Sequence, residues 1–172
     1  MGRILLEVCC GSADDVIEAH RGGADRVELN CDLFHGGLTP TLGSLLVAKR
    51  ETGMKIIAMV RPREGGFCYT QAEFAAAVED GKLLLEHGAD GLAFGFLRED
   101  GTVDAQRTRV LAELCRERGK EPVFHRAIDV TPDWRAALDV LMELGVARVL
   151  TSGQQASVPL GADTIRQMGE YA

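Results

Sequence analysis

Gly22-Gly23-Ala24-Asp25-Arg26-Val27-Glu28-Leu29 is echoed by His87-Gly88-Ala89-Asp90-Gly91-Leu92-Ala93-Phe94, and more loosely by Leu144-Gly145-Val146-Ala147-Arg148-Val149-Leu150-Thr151. In each copy a helical stretch stops at glycine, a short link follows and an apolar strand begins. Glycine suits that place because the residue after a helix often takes a left-handed conformation. Gly53 before Met54-Lys55-Ile56-Ile57 and Gly119 before Pro122-Val123-Phe124 read as the same device. Working outward from these junctions predicts strands near 4–9, 26–30, 55–61, 91–95, 122–126 and 148–151. Helices are expected near 12–21, 41–52, 71–87, 104–118, 132–144 and 161–171. Ser12, Thr70 and Asp104 are the expected N-caps. Thr131-Pro132 puts proline at a first helical position, and Phe74, Val78, Leu84 and Leu85 give the third helix an apolar face.

Alternating βα units imply parallel strands with helices outside. Two architectures compete. An open doubly wound sheet accommodates six strands, whereas a closed (β/α)8 barrel needs eight units and roughly 250 residues. The chain has 172 residues, 46% hydrophobic and 26% charged, which suits one domain spanning 1–172. Its net charge of −7 repels a phosphate backbone, so nucleic-acid binding is not expected. The apolar runs are strand length, far short of the roughly 20 residues that span a bilayer. Glu7 interrupts the apolar start, which therefore does not read as a secretory signal, and the expected compartment is the cytoplasm. Cys9, Cys10, Cys31, Cys68 and Cys115 include no C-x-x-C pair and fit no disulfide framework, so free thiols are expected.

Parallel strands deliver their last residues to one face, where barrels place ligands. Those residues are Glu7 and Cys9, Glu28 and Asn30, Arg61 and Arg63, Phe94 and Gly95, His125, Arg126 and Asp129, and Thr151, Ser152 and Gly153. Alternation sends Leu6, Val8, Val27 and Leu29 toward the helices, and Glu7, Cys9, Glu28 and Asn30 inward. Inward carboxylates are costly to bury unless paired. Arg61 is the natural partner, with Arg26 and Arg126 as alternatives. An ion-pair network that only fills the interior competes with a ligand site.

His125 at a strand end has the chemistry of a general acid or base. Arg126 beside it suits a carboxylate or phosphate, and Asp129 can orient either. A hydrogen-bonded histidine with no catalytic duty is the plainer alternative. His35 lies in the second loop with Gly36-Gly37 and reads as a loop residue. His20 and His87 close helices, where a cation complements the helix dipole. Thr151-Ser152-Gly153 can present backbone N–H groups to an anion. No nucleotide-binding glycine motif occurs.

Seven segments in order resemble the CutC copper homeostasis family: Leu6-Glu7-Val8-Cys9, Gly22 to Leu29, Gly36-Gly37-Leu38-Thr39-Pro40, Arg61-Pro62-Arg63, Asp90 to Gly95, Phe124-His125-Arg126-Ala127 and Leu150-Thr151-Ser152-Gly153. The resemblance runs from about residue 5 to the C-terminus. It implies a TIM-type barrel, a cytoplasmic setting, a homodimer and a role in copper homeostasis with copper(I) bound through thiols. It also implies a longer chain, because the family's barrel has eight βα units and the reading above gives six, without the last two strands. The family's second-strand motif ends Glu-Leu-Cys, whereas here it ends Glu28-Leu29-Asn30 with Cys31 one place later. A one-residue shift turns a side chain to the opposite face. Of the family's thiol pair, Cys9 is kept, and Cys31 is its nearest substitute.

Three functions follow. Copper(I), which prefers soft thiolates, would be held by Cys9 and Cys31. A barrel enzyme for a small anionic or sugar-like substrate would use Glu7, Glu28 and His125 for acid–base chemistry. In that enzyme Arg61, Arg63, Arg126, Asp129 and Ser152 would bind the substrate. The third is a fragment or assembly module without a site.

Overall fold

The structure is a computed structural model and describes residues 3–172. Six strands alternate with six helices: β1 (Glu7–Cys10), α1 (Ala13–Arg21), β2 (Arg26–Leu29), α2 (Leu42–Thr52), β3 (Ile56–Met59), α3 (Gln71–Glu86), β4 (Gly91–Phe94), α4 (Ala105–Arg116), β5 (Glu121–Phe124), α5 (Trp134–Glu143), β6 (Arg148–Val149) and α6 (Val158–Tyr171). Short 3₁₀ turns follow β2 (Leu33–His35) and β5 (Arg126–Val130). The chain divides into two compact units. One comprises residues up to Glu64 with Ala75–Ala93, and the other Gly65–Phe74 with Phe94–Ala172.

In the first unit β1, β2, β3 and β4 pair in chain order, all parallel. All four residues of β3 are buried, as are Val27, Glu28 and Leu29 of β2. Burial on both faces is the rule for parallel strands packed between other elements. The repeated glycine–alanine–aspartate junction has a specific job here. Asp25 donates its backbone N–H to the carbonyl of Leu6 at 2.9 Å, and its carboxylate accepts from the Leu6 N–H at 2.8 Å. Asp90 does the same to Ile56, at 2.7 and 3.0 Å. Each aspartate thus brackets the residue at or just before the start of the preceding paired strand and locks its register. Lys49 adds an ion pair to Asp90 at 2.8 Å.

In the second unit β5 and β6 pair in parallel, Val123 opposite Arg148 and Phe124 opposite Val149. Its core gathers Phe124, Ile128, Trp134, Leu138, Leu141 and Met168. The third junction follows the same backbone rule, since the Ala147 N–H donates to the carbonyl of Pro122 at 2.9 Å. Proline has no N–H to offer a carboxylate, so alanine stands where the other two copies have aspartate.

The caps on Ser12, Thr70 and Asp104 are present. Ser12 accepts from the Asp15 N–H, Asp104 accepts from the Arg107 N–H, and Thr70 and Glu73 form a reciprocal capping box. Three elements start two or more residues away from expectation. β1 starts at Glu7, because Leu6 is tied to Asp25 and Ile4, Leu5 and Leu6 are exposed. α5 starts at Trp134, where Asp133 caps the Arg135 and Ala136 N–H groups, so Pro132 precedes the helix. α6 starts at Val158, three residues before the expected Gly161. Gly161 instead serves contact, since a Cβ there would lie 1.8 Å from the Ser152 carbonyl oxygen.

Candidate functional site

At the ends of β1 and β2, register sets Cys9 opposite Glu28. The Cys9 thiol lies 3.7 Å from Glu28 Oε1. Asn30 Nδ2 lies 3.1 Å from the same oxygen and 3.4 Å from Cys9 Sγ. Glu28 and Asn30 are buried, at 7% and 1% exposure. Part of Cys9 reaches solvent, yet its thiol is set against this pair. Burial, then the Glu28 charge, pushes its pKa up to about 12. The inward orientation read from alternation brings Cys9, Glu28 and Asn30 together.

Arg61 is also buried. One of its nitrogens donates to the carbonyls of His35 and Gly37 at 3.0 and 2.9 Å. The Thr39 N–H donates to the Arg61 carbonyl at 3.0 Å and the Thr39 hydroxyl accepts from the Arg61 N–H at 2.9 Å, completing the seam. Arg61 thereby pins the loop after β2. Gly37, at φ +84°, lets that loop pass over Asn30, where a Cβ would come within 2.5 Å of Asn30 Oδ1. Cys31 belongs to the loop. Its thiol donates to the Thr39 carbonyl at 3.0 Å, and burial followed by the Asp32 charge raises its pKa. Cys9 and Cys31 therefore have separate partners: Cys31 comes one residue after Asn30, whose side chain lies beside Cys9, and alternation turns it the other way.

Glu7 pairs with Arg26, its neighbour in register. As the first residue of β1, Glu7 lies at the opposite end of the strand from the expected mouth. Arg63 donates to the Glu64 carbonyl. The exposed His35 ring meets Asp32 at 2.7 Å and Glu64 at 3.6 Å. The Asp32 hydrogen bond chiefly raises its pKa.

In the second unit His125 is 3% exposed. It lies beside Phe67, with ring centroids 4.9 Å apart. Its Nδ1 accepts from the Ala127 N–H at 3.2 Å, so the neutral ring carries its proton on Nε2. Gly95 supplies the room, since a Cβ there would meet the imidazole at 2.4 Å. Arg126, Asp129 and Ser152 come together as a group. Arg126 Nε donates to Asp129 Oδ2 at 2.9 Å, and Arg126 Nη2 donates to Ser152 Oγ at 2.6 Å. The Ser152 N–H reaches both Asp129 oxygens, at 2.9 and 3.2 Å. Thr151 adds a hydroxyl at 2.5 Å, and Gln154, missed in the sequence, adds an N–H at 3.1 Å. Burial works to raise the Asp129 pKa. Hydrogen bonds from Thr151, Ser152, Arg126 and Gln154 outweigh it and hold the carboxyl below its ordinary range. Of the turn read as able to present N–H groups to an anion, the Ser152 N–H meets this chain's own Asp129 carboxylate and the Gly153 N–H meets the Thr151 hydroxyl.

Among the described residues no group of three or more His, Cys, Asp or Glu side chains is placed to hold a metal ion. Nor is any helix among them long and apolar enough to cross a membrane.

The family model for CutC matches residues 4–172. The chain belongs to the CutC family. A CutC family protein of Treponema denticola is 52% identical over 172 residues, covering 100% of this chain and 69% of its own length. The human copper homeostasis protein cutC homolog is 43% identical, covering 98% of this chain and 61% of its own length. The chain thus spans less than two thirds of that human relative. The solved CutC copper homeostasis structure from Streptococcus agalactiae, 31% identical, superposes with a TM-score of 0.91 over 99% of this chain and 83% of its own. A solved structure from Burkholderia cenocepacia, at 15% identity and a TM-score of 0.62, shares the fold over 98% of this chain and 70% of its own. The fold of this CutC family member is the TIM-type β/α barrel, represented by six βα units.

Proposed function

We propose that this chain serves copper homeostasis by taking copper(I) at the end of β1, with Cys9 as the principal donor. One observation carries the reading: Cys9 is a partly exposed thiol at a strand end, held beside a buried carboxylate and a buried amide. Zinc sites ask for four ligands, whereas a soft monovalent ion bound through one or two thiolates suits this donor set. Cys31 joins as second donor once its thiol leaves the Thr39 carbonyl. The cytoplasm, which keeps thiols reduced, is the compartment that this chemistry needs, and a homodimer is the assembly that the family resemblance implies. The human and mouse relatives named as copper homeostasis proteins support the reading.

Anaerobic competition for copper(I) against a chromophoric chelator tests it. Cys9→Ser should weaken binding by about tenfold or more, near 1.4 kcal/mol. Cys31→Ser should cost less. Unchanged affinity in the double variant rules the site out.

A second reading is favoured by the burial of Glu28. A carboxylate held at 7% exposure under an amide donor suits acid–base work on a small anionic or sugar-like substrate. Thermal-shift screening of sugar phosphates and sugar acids against wild type and Glu28→Gln checks it. A hit lost in the variant supports catalysis or binding at Glu28, and a hit kept in the variant refutes it.

A further inference from the structure

We propose that the turn after β6 is a built oxyanion nest whose resident anion is Asp129, so that a phosphoryl group enters it only by displacing that carboxylate. The nest has the donors that a phosphate needs. Backbone N–H groups of Ser152 and Gln154, the Thr151 hydroxyl and Arg126 Nε all converge on the two Asp129 oxygens at 2.5 to 3.2 Å. The Ser152 hydroxyl sits 3.0 Å from Oδ2 and 2.5 Å from the Gln155 carbonyl, with one proton to share between them.

The backbone is shaped for this task. Gly153 and Gln154 have successive φ values of +71° and +58°. Consecutive turns of that kind aim N–H groups into one concavity. For Gln154 the left-handed conformation costs about 1 kcal/mol or more. Its side-chain amide offsets that cost by donating to the Thr131 carbonyl at 2.7 Å. The Gly153 N–H is retained by Thr151 Oγ1 at 2.8 Å, which fixes the hydroxyl that faces the anion. The Gly161 backbone, packed against Ser152 and Gly153, holds the turn from behind. Two N–H groups, a hydroxyl and a guanidinium fill the roughly four acceptor sites of one carboxylate, and the same donors can serve the oxygens of a phosphoryl group. Their number and spread fit a tetrahedral dianion, and Arg126, 58% exposed, can follow an incoming ligand.

The test is titration of the full chain with inorganic phosphate, followed by amide NMR of Ser152 and Gln154. In Asp129→Ala these two amides should shift, with an affinity about tenfold or more above wild type. Asp129→Asn, which keeps the side-chain size, should fall between the two and decides the matter if the alanine variant does not fold. Glycerol phosphate in parallel separates an esterified ligand, which would bind more tightly than inorganic phosphate, from a free ion, which would not. Either order supports the nest. A folded variant whose Ser152 and Gln154 amides stay unmoved, or move no more than in wild type, overturns the assignment.

Discussion

Asn30, just past the end of β2, donates its side-chain amide to the carboxylate of Glu28, two residues earlier, at 3.1 Å. The same nitrogen sits 3.4 Å from the Cys9 sulfur. A soft donor, a carboxylate and an amide therefore share one short stretch of strand end, and the carboxylate charge works against loss of the thiol proton.

Cys9 should consequently be slow to alkylate. A pKa near 12 in place of 9.0 leaves on the order of a thousandfold less thiolate at pH 8. Peptide-resolved iodoacetamide labelling is the measurement. Burial alone keeps the thiol sluggish in Glu28→Gln, but the rate should rise by about tenfold because the second cause of the shift is gone. A wild-type Cys9 that labels like free cysteine would contradict the geometry.

The junction aspartates predict a graded stability series. Asp90→Ala strands the Ile56 N–H and removes the ion pair of Lys49, which keeps the Met54 carbonyl, and should cost about 1–3 kcal/mol in urea unfolding. Asp25→Ala, at a more exposed seam, should cost less. Ala147→Asp should bring no gain, since Pro122 has no N–H to bond.

Asp129 predicts acid sensitivity. Its folded pKa is depressed, so the associated stabilisation is complete above its unfolded pKa, about 3.9. It fades as pH falls through the folded value. Chemical denaturation between neutral pH and pH 2 should show Asp129→Asn less stable at neutral pH and converging with wild type at the acid end. Parallel curves would exclude Asp129 as the source.

His35 runs the other way. Its folded pKa lies above 6.5, so its contribution is present below that value and lost as pH rises through the folded pKa. An NMR titration of the ring should give a midpoint above 6.5, and Asp32→Asn should lower it. A wild-type midpoint at or below 6.5 would remove the Asp32 contact from solution.

Much of the barrel was legible because its period is written in side-chain chemistry. Glycine ends each repeat's helix, and Asp25 and Asp90 mark the next strand's start. The β1 boundary was not legible, since Ile4, Leu5 and Leu6 have strand-like apolarity whether or not a neighbour covers them. The inward set of Cys9, Glu28 and Asn30 followed from alternation alone. The partner of Glu7 did not, because Arg26 and Arg61 are equivalent as charges and only register separates them. The resident anion at 151–154 was hidden for a different reason. Gln154 carries no sequence mark of its left-handed backbone, and the aspartate that fills the turn comes from 22 residues earlier on the chain.

The bracketing of Leu6 by Asp25 and of Ile56 by Asp90 gives each seam its own key. A βα module carrying that aspartate brings the alignment instructions for the strand before it, provided that the receiving residue has an amide hydrogen. Such modules are natural cut-and-paste points for chimeric barrels. A splice that moves the aspartate without its amide-bearing partner, or sets it against a proline, should misalign at the seam.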